Sequence, residues 1–222
     1  GCDSIVTLNL TINQSTSGTD VLTACDTLTW IDGITYSASN DTATYTLTNS
    51  VGCDSVVTLD LTINTSPTVD LGNDTILCSG TTIDLNAGSG FTYSWQDGTN
   101  DSTLTASSSG EYSVTITDGN GCTDSDTINV TLATPLVVTL DSTNITCNGL
   151  TDGTATATVT GGTPNYSYLW DDANAQTTAT ATNLTSGSYT VSITDDNNCG
   201  TTGSISIAEP TLLSATTQEP PQ

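Results

Sequence analysis

The sequence predicts an all-β fold: a tandem array of small disulfide-stapled β-sandwich modules forming an elongated rod. Three observations carry that prediction. Apolar and polar residues alternate in VVTLDLTI (Val56–Ile63), YSVTITD (Tyr112–Asp118) and YTVSITD (Tyr189–Asp195), the period of half-buried strands. Thr, Val, Ile, Ser and Tyr, which favour strands, dominate these runs, and Asp, Asn and Gly, which favour turns, separate them. The chain also repeats itself, as arrays of like modules do.

GCDSIVTLNLTIN at 1–13 recurs as GCDSVVTLDLTIN at 52–64, and SGEYSVTITDGNGC at 109–122 recurs as SGSYTVSITDDNNC at 186–199. Residues 1–13 are therefore read as the tail of a preceding repeat and 14–64 as one full β repeat. Residues 65–134 form a second sandwich and 135–210 a third. Residues 211–222 begin a further repeat or linker. Pro67, Pro135 and Pro210 mark the joints, where a fixed φ and a missing N–H suit a stiff linker better than a central strand. Each module shares one order: Cys, then Trp-x-Asp (Trp30/Asp32, Trp95/Asp97, Trp170/Asp172), then a Tyr-led strand (Tyr45, Tyr112, Tyr189), then Cys. A single Trp in each module, Trp30, Trp95 and Trp170, is expected as the core plug rather than as a sugar-stacking platform. With a private core for each module, the chain is expected to show a radius of gyration clearly above the roughly 17 Å of a compact chain of this length.

The charge is one-sided. The 222 residues include 24 acidic side chains, all Asp except Glu111, Glu209 and Glu219, and no Lys, Arg or His, giving a formal charge of −24. Such a surface is repelled by nucleic acid and by anionic membranes. Imidazole acid–base chemistry, Schiff bases and His-ligated metals lack their side chains. No apolar run approaches the roughly 18 residues of a membrane span, so no membrane insertion is expected of this segment. A two-carboxylate hydrolase is the remaining enzyme class. Acids scattered through repeated turns do not favour it, and no enzyme is expected. The chain starts inside a motif without Met and reads as a segment of a longer polypeptide.

Seven Cys without His argue for disulfides in an oxidising compartment. Modules of this size commonly need covalent staples. Pairing within modules is the expected scheme: Cys25–Cys53, Cys78–Cys122 and Cys147–Cys199, each stabilising by roughly 3 to 4 kcal/mol. It leaves Cys2 unpaired in this segment. The rival scheme joins neighbours, as Cys2–Cys25, Cys53–Cys78 and Cys122–Cys147.

The third module, with ITCNGLTDG, GGTPNYSYLWDD, NLTSGSYTVSITDDNNC and a closing AEP, resembles the SprB-type repeat of giant cell-surface adhesins of gliding Bacteroidetes. It departs from that pattern at Asn198-Cys199-Gly200, where Gly-Cys-Thr is usual. The second module, with VDLGNDTILCSG, YSWQDG and SGEYSVTITDGNGC, resembles the PKD- or Ig-like modules of the same proteins, and the GCDS units resemble another of their repeats. The resemblance implies secretion by the type IX system, an extracellular or cell-surface location, and a structural segment of a filament or adhesin supporting attachment or gliding. Its partners would be neighbouring repeats, other copies in a filament, or a polysaccharide or other surface ligand. It supplies no catalytic residue. In immunoglobulin domains the corner Tyr lies two residues before the second Cys. Tyr112 and Tyr189 lie ten before theirs, which places that Cys in the turn after the Tyr strand.

No cofactor is required. Ca²⁺ is the one candidate ion, and its candidate ligands are Asp118, Asp124 and Asp126, Asp171 and Asp172, and Asp195, Asp196 and Asn197. A Ca²⁺-dependent carbohydrate-binding module is the alternative function. The plainer reading is that each Asp bonds its own turn. Asp-Ser/Thr followed by an apolar residue or Thr resembles an O-glycosylation signal of exported Bacteroidetes proteins. It marks Ser4, Thr27, Thr42, Ser55, Thr75, Ser102, Thr127 and Ser142 as candidate sites.

Overall fold

The computed structural model describes residues 14–48, 50 and 52–212. Cys2, Ser4 and the rest of the 1–13 repeat lie outside the described residues, as do residues 213–222. The chain falls into two compact units. One takes in residues up to Leu71, Asn86–Leu104 and Ser113–Thr127; the other takes in Gly72–Leu85, Thr105–Tyr112 and the residues from Ile128 onward. Among the described residues every helical or extended element is a β-strand.

The first five strands are β1 (Thr16–Cys25), β2 (Leu28–Thr29), β3 (Thr35–Tyr36), β4 (Thr44–Thr48) and β5 (Asp54–Asn64). They form a three-stranded sheet, β1-β5-β4, and a hairpin, β2-β3. β1 and β5 run parallel over ten register positions, from Thr16↔Ser55 to Cys25↔Asn64. A parallel pair needs a crossover, which here carries the hairpin and β4. Alternation along β5 turns Leu59 and Leu61 inward against Trp30, with Leu22, Leu28, Tyr36, Val57 and Ile63 packed around them.

The middle strands are β6 (Thr75–Leu77), β7 (Ile83–Asn86), β8 (Thr92–Trp95), β9 (Thr103–Ala106), β10 (Gly110–Thr117) and β11 (Thr123–Leu132). Their sheets are β6-β11-β10-β8 and β7-β9. Alternate positions on β10 and β11, namely Val114, Ile116, Ile128 and Val130, are buried, as is Trp95.

The last six are β12 (Val137–Thr143), β13 (Gly153–Thr160), β14 (Ser167–Trp170), β15 (Thr180–Leu184), β16 (Gly187–Thr194) and β17 (Gly200–Ile207). They make two three-stranded sheets, β12-β13-β15 and β14-β16-β17. One core joins them: Ala155, Ala157 and Ala181 from the first sheet, and Trp170, Val191, Ile193 and Ile207 from the second. Small side chains on one layer leave the volume that the indole fills on the other. All sheets thus combine strands of a single repeat segment, in the two-layer β-sandwich architecture expected from the sequence.

The Trp reading holds in all three modules. Trp30, Trp95 and Trp170 are buried, and each indole N–H finds an acceptor: Asp20 Oδ2 at 2.8 Å, the Asp101 carbonyl at 2.9 Å and the Thr178 carbonyl at 3.0 Å. Tyr112 and Tyr189 each donate their hydroxyl to a carbonyl four residues upstream, Ser108 at 3.0 Å and Thr185 at 3.1 Å. This is the back-bond of a tyrosine corner, made without the Cys two residues later.

The disulfide scheme is corrected. The bonds are Cys25–Cys122 and Cys78–Cys199, with Cα separations of 5.7 and 5.3 Å. Neither Cys25–Cys53, Cys78–Cys122 nor Cys147–Cys199 forms. Of the rival scheme, Cys53–Cys78 and Cys122–Cys147 are likewise excluded, and Cys25 is taken by Cys122 rather than Cys2. Strand length is the reason. Cys25 pairs with Asn64, the last residue of β5, whereas Cys53 precedes its first. Eleven residues of strand separate two such positions by roughly 35 Å, and a disulfide needs Cα atoms within about 7 Å. Along β11, Cys122 precedes the first residue, while Leu77, next to Cys78, pairs with the last, Leu132. In the third sandwich Cys199 stands beside the Thr194↔Gly200 end of the β16–β17 ladder. Ile145, near Cys147, donates to Ala208 at the opposite end. The first cysteine of each segment therefore lies at the trailing end of its sheet, the second at the leading end.

Candidate functional site

The places where sequence, charge and covalent chemistry converge are the joints at Pro67 and Pro135. Each is built around a turn that follows a Tyr-led strand. In the turn Asp118–Cys122, the Asp118 carboxylate accepts the N–H groups of Asn120 at 2.9 Å and Cys122 at 2.8 Å. In Asp195–Cys199, Asp195 accepts those of Asn197 at 3.0 Å and Cys199 at 2.9 Å. The backbone closes identically, Asp118 N–H to the Cys122 carbonyl and Asp195 N–H to that of Cys199. A single carboxylate oxygen, Oδ1, thus accepts both amides of the turn, which is why Asp stands there. Both turns hold their cysteine buried.

At the first joint, Cys25 reaches Cys122 across the linker. Asp26, the next residue, accepts the Ser66 amide at 2.9 Å and donated hydroxyl at 2.7 Å. The Ser66 hydroxyl, then its amide, lower the carboxyl pKa of Asp26. Further along, Asp124 accepts the Val69 N–H at 2.8 Å and Asp126 accepts the Leu71 N–H at 2.6 Å. At the second joint, Cys78 bonds Cys199 beside Thr134, Pro135 and Leu136, with which it lines a pocket of about 160 Å³. Asp195 accepts the Thr163 N–H at 2.9 Å, and that amide is the largest cause of its lowered pKa. The Asn197 side chain donates to the Thr163 hydroxyl at 2.7 Å.

Gly161 explains the GG of this joint. Its φ is +77°, and a Cβ there would lie 2.1 Å from the Pro135 carbonyl oxygen, so only glycine allows the linker to approach.

The eight candidate calcium ligands are accounted for individually. Asp118, Asp124, Asp126, Asp195 and Asn197 serve turns and linkers as above. Asp171 accepts the Thr190 N–H at 2.7 Å, and Asp196 the Asn165 side-chain amide at 3.2 Å. Asp172 accepts the N–H groups of Asn174 and Gln176. Burial raises its pKa, but the Gln176 side chain and these amides lower it further, for a net lowering; burial and turn amides balance the same way at Asp118. Among the described residues no three acidic or cysteine side chains converge in a group suited to a metal ion. Of the candidate glycosylation sites, Thr27, Thr42 and Thr127 are exposed, while Ser55, Thr75, Ser102 and Ser142 are half-buried. The Ser55 hydroxyl is 2.7 Å from that of Thr16.

Comparison with family models finds a match within the third sandwich. Residues 139–175 match the SprB repeat. In structural terms the matched stretch of that repeat runs from within β12 through Trp170 and the Asp172 turn, and ends before β15. Among curated proteins none matches the chain. Solved structures that it is similar to include three multi-domain immunoglobulin proteins. The N-terminal eight Ig domains of Down syndrome cell adhesion molecule are 11% identical, with 82% of this chain and 30% of that one covered and a TM-score of 0.49. Titin domains I67–I69 are 14% identical, with 73% and 72% covered and a TM-score of 0.34. Sidekick-1 immunoglobulin domains 1–5 are 12% identical, with 76% and 45% covered and a TM-score of 0.32. This chain spans less than a third of that eight-domain chain. A SprB repeat and disulfide-stapled sandwiches are features of an extracellular, adhesin-type structural module.

Proposed function

We propose that this chain is a load-bearing segment of a long extracellular repeat filament or adhesin that supports surface attachment or gliding at a bacterial cell surface. The observation that carries the reading is that both disulfides cross a Pro joint instead of closing a module. Their loops interleave. Without them, the chain from Cys25 to Cys199 pays out about 174 residues under tension; with them, the shortest covalent route crosses only the roughly 44 residues from Cys78 to Cys122. A filament needs that protection where linkers are weakest. The charge of −24, with no basic residue, opposes clumping between neighbouring copies.

Pulling single molecules tests the mechanical part. Reductant should release about 130 further residues, or about 440 Å of contour length. An unfolded length unaffected by reductant would refute the load-bearing role. Antibody fragments against residues 14–212 should label intact cells and reduce their attachment, and absence of surface labelling would refute the location.

The alternative, a Ca²⁺-dependent carbohydrate-binding module, has support only in the acidic turns, whose carboxylates already accept backbone or side-chain amides. Calorimetric titration of the chain with Ca²⁺ tests it. Glycans on Thr27, Thr42 and Thr127, the exposed candidate hydroxyls, would appear as excess mass in protein from the native source.

A further inference from the structure

Both disulfides obey one rule of placement. Their first cysteine sits at the trailing end of its sheet, tied to the strand that leads into the next Pro joint. Cys25 pairs with Asn64 ahead of Pro67, and Ala133, ahead of Pro135, donates its N–H to the carbonyl of Leu77, the residue before Cys78. Their second cysteine is four residues after the Asp of an Asp-x-Asn-x-Cys turn, at the leading end of the following segment. Two independent copies of this arrangement are oxidised.

Cys147 occupies the same place in the third sandwich. Ile145 donates to the Ala208 carbonyl at 3.2 Å, Asn148 donates its side-chain amide to the Pro210 carbonyl at 3.2 Å, and Gly149 donates to the Glu209 carboxylate at 3.3 Å. The cysteine therefore stands at the Pro210 joint as Cys78 stands at Pro135. Its thiol is free and exposed. Both turn cysteines of Asp-x-Asn-x-Cys type in this chain, Cys122 and Cys199, are already bonded.

We propose that Cys147 is the trailing half of a third joint staple, whose other half is the turn cysteine of a further module of this kind. The bond forms by thiol–disulfide exchange with a small-molecule or protein disulfide. The Cys147 thiolate attacks that disulfide and releases one thiol; the incoming turn thiolate attacks the mixed disulfide and releases the second. Two protein thiols are oxidised and one oxidant disulfide is reduced. The inference rests on the two observed bonds and stands apart from attachment or gliding.

The test extends the chain directly after Pro210 with a second copy of residues 136–212 that itself carries C147S, so that the Cys147 peptide comes from the original position alone. This sets the copy's turn cysteine about 64 residues past Pro210, the spacing of Cys199 from Pro135. After refolding in a glutathione redox buffer, the protein is alkylated and cleaved at Asp, since it offers trypsin no site. Cys147 should be recovered joined to the copy's turn cysteine, and its alkylation should fall at least tenfold relative to the unextended chain. With C147S at the original position as well, the copy's turn cysteine should alkylate fully. Recovery of Cys25–Cys122 and Cys78–Cys199 in the same digest reports correct folding. A second extension, by residues 68–134 with the Cys122 turn, asks the same question of an unrelated copy. Cys147 still alkylated in both extended chains, or joined to Cys147 of another molecule or to any cysteine outside such a turn, overturns the proposal.

Discussion

Asp195 shows how a carboxylate can matter to stability in a chain that has no cation to pair it with. It accepts the N–H groups of Thr163, Asn197 and Cys199, so it organises the turn and the joint together. Its pKa is lowered, as are those of Asp26, Asp118 and Asp172. A carboxyl whose folded pKa lies below its unfolded value of about 3.9 stabilises fully above that value and stops doing so as pH falls through the folded one. The melting temperature should therefore stay flat from pH 8 to 5, where there is no His to titrate, and drop below about pH 4. D195A should lower it at pH 7 and flatten the acid limb, and D196A should do neither; scanning calorimetry across pH reads both. Gly161 makes the complementary case for the backbone. G161A combines the left-handed φ with the Pro135 clash and should cost more than about 2 kcal/mol, against about 1 for G33A, where φ is +81° and space is open. Urea titration separates them.

At the scale of elements, the Trp of the Trp-x-Asp turn fixes the layers. Trp170 lies at the centre of the third core and is hydrogen-bonded to Thr178. W170A should cost about 3 to 5 kcal/mol. W170F, which loses the indole bond and part of the ring, should cost clearly less, and the difference is measurable by chemical denaturation. Much of this level was legible in the sequence. Period-two alternation located β5, β10 and β16, and one aromatic plug recurring in each segment marked the cores, because burial on one face of a strand leaves its imprint on every second residue. The cysteine pairing was not legible. Sequence order brackets each module with two cysteines, but the strands between them hold the two at opposite ends of a sheet, and only the ladder registers reveal this. The joint acceptors were hidden for a similar reason. Asp26 with Ser66 and Asp195 with Thr163 are 40 and 32 residues apart, and a turn Asp looks the same in sequence whether it serves its own loop or the linker as well. The short spacing Asp-x-Asn-x-Cys, present twice, was the one signal that could have pointed to the joint.

For the molecule as a whole, the covalent topology has an energetic consequence that grows with loop length. Bonds spanning 97 and 121 residues restrict the unfolded chain more than bonds within modules would. By chain entropy each of these is worth about 4.7 to 4.9 kcal/mol, against roughly 3.6 for a loop the length of Cys25 to Cys53. Cross-linking also holds 24 uncompensated acidic side chains in a smaller volume, even unfolded, so charge repulsion separates the folded and unfolded states less in the oxidised protein than in the reduced one. Two dependences follow. Reduction should lower the melting temperature substantially, because both terms act in the same direction. Salt should then raise the melting temperature of the reduced chain more than that of the oxidised chain between 10 and 150 mM, as the Debye length falls from about 30 to about 8 Å. Calorimetry at the two ionic strengths, with and without reductant, gives the four values needed. An equal salt response in both redox states would show that the staples act on chain entropy alone and leave the charge of the unfolded chain unaffected.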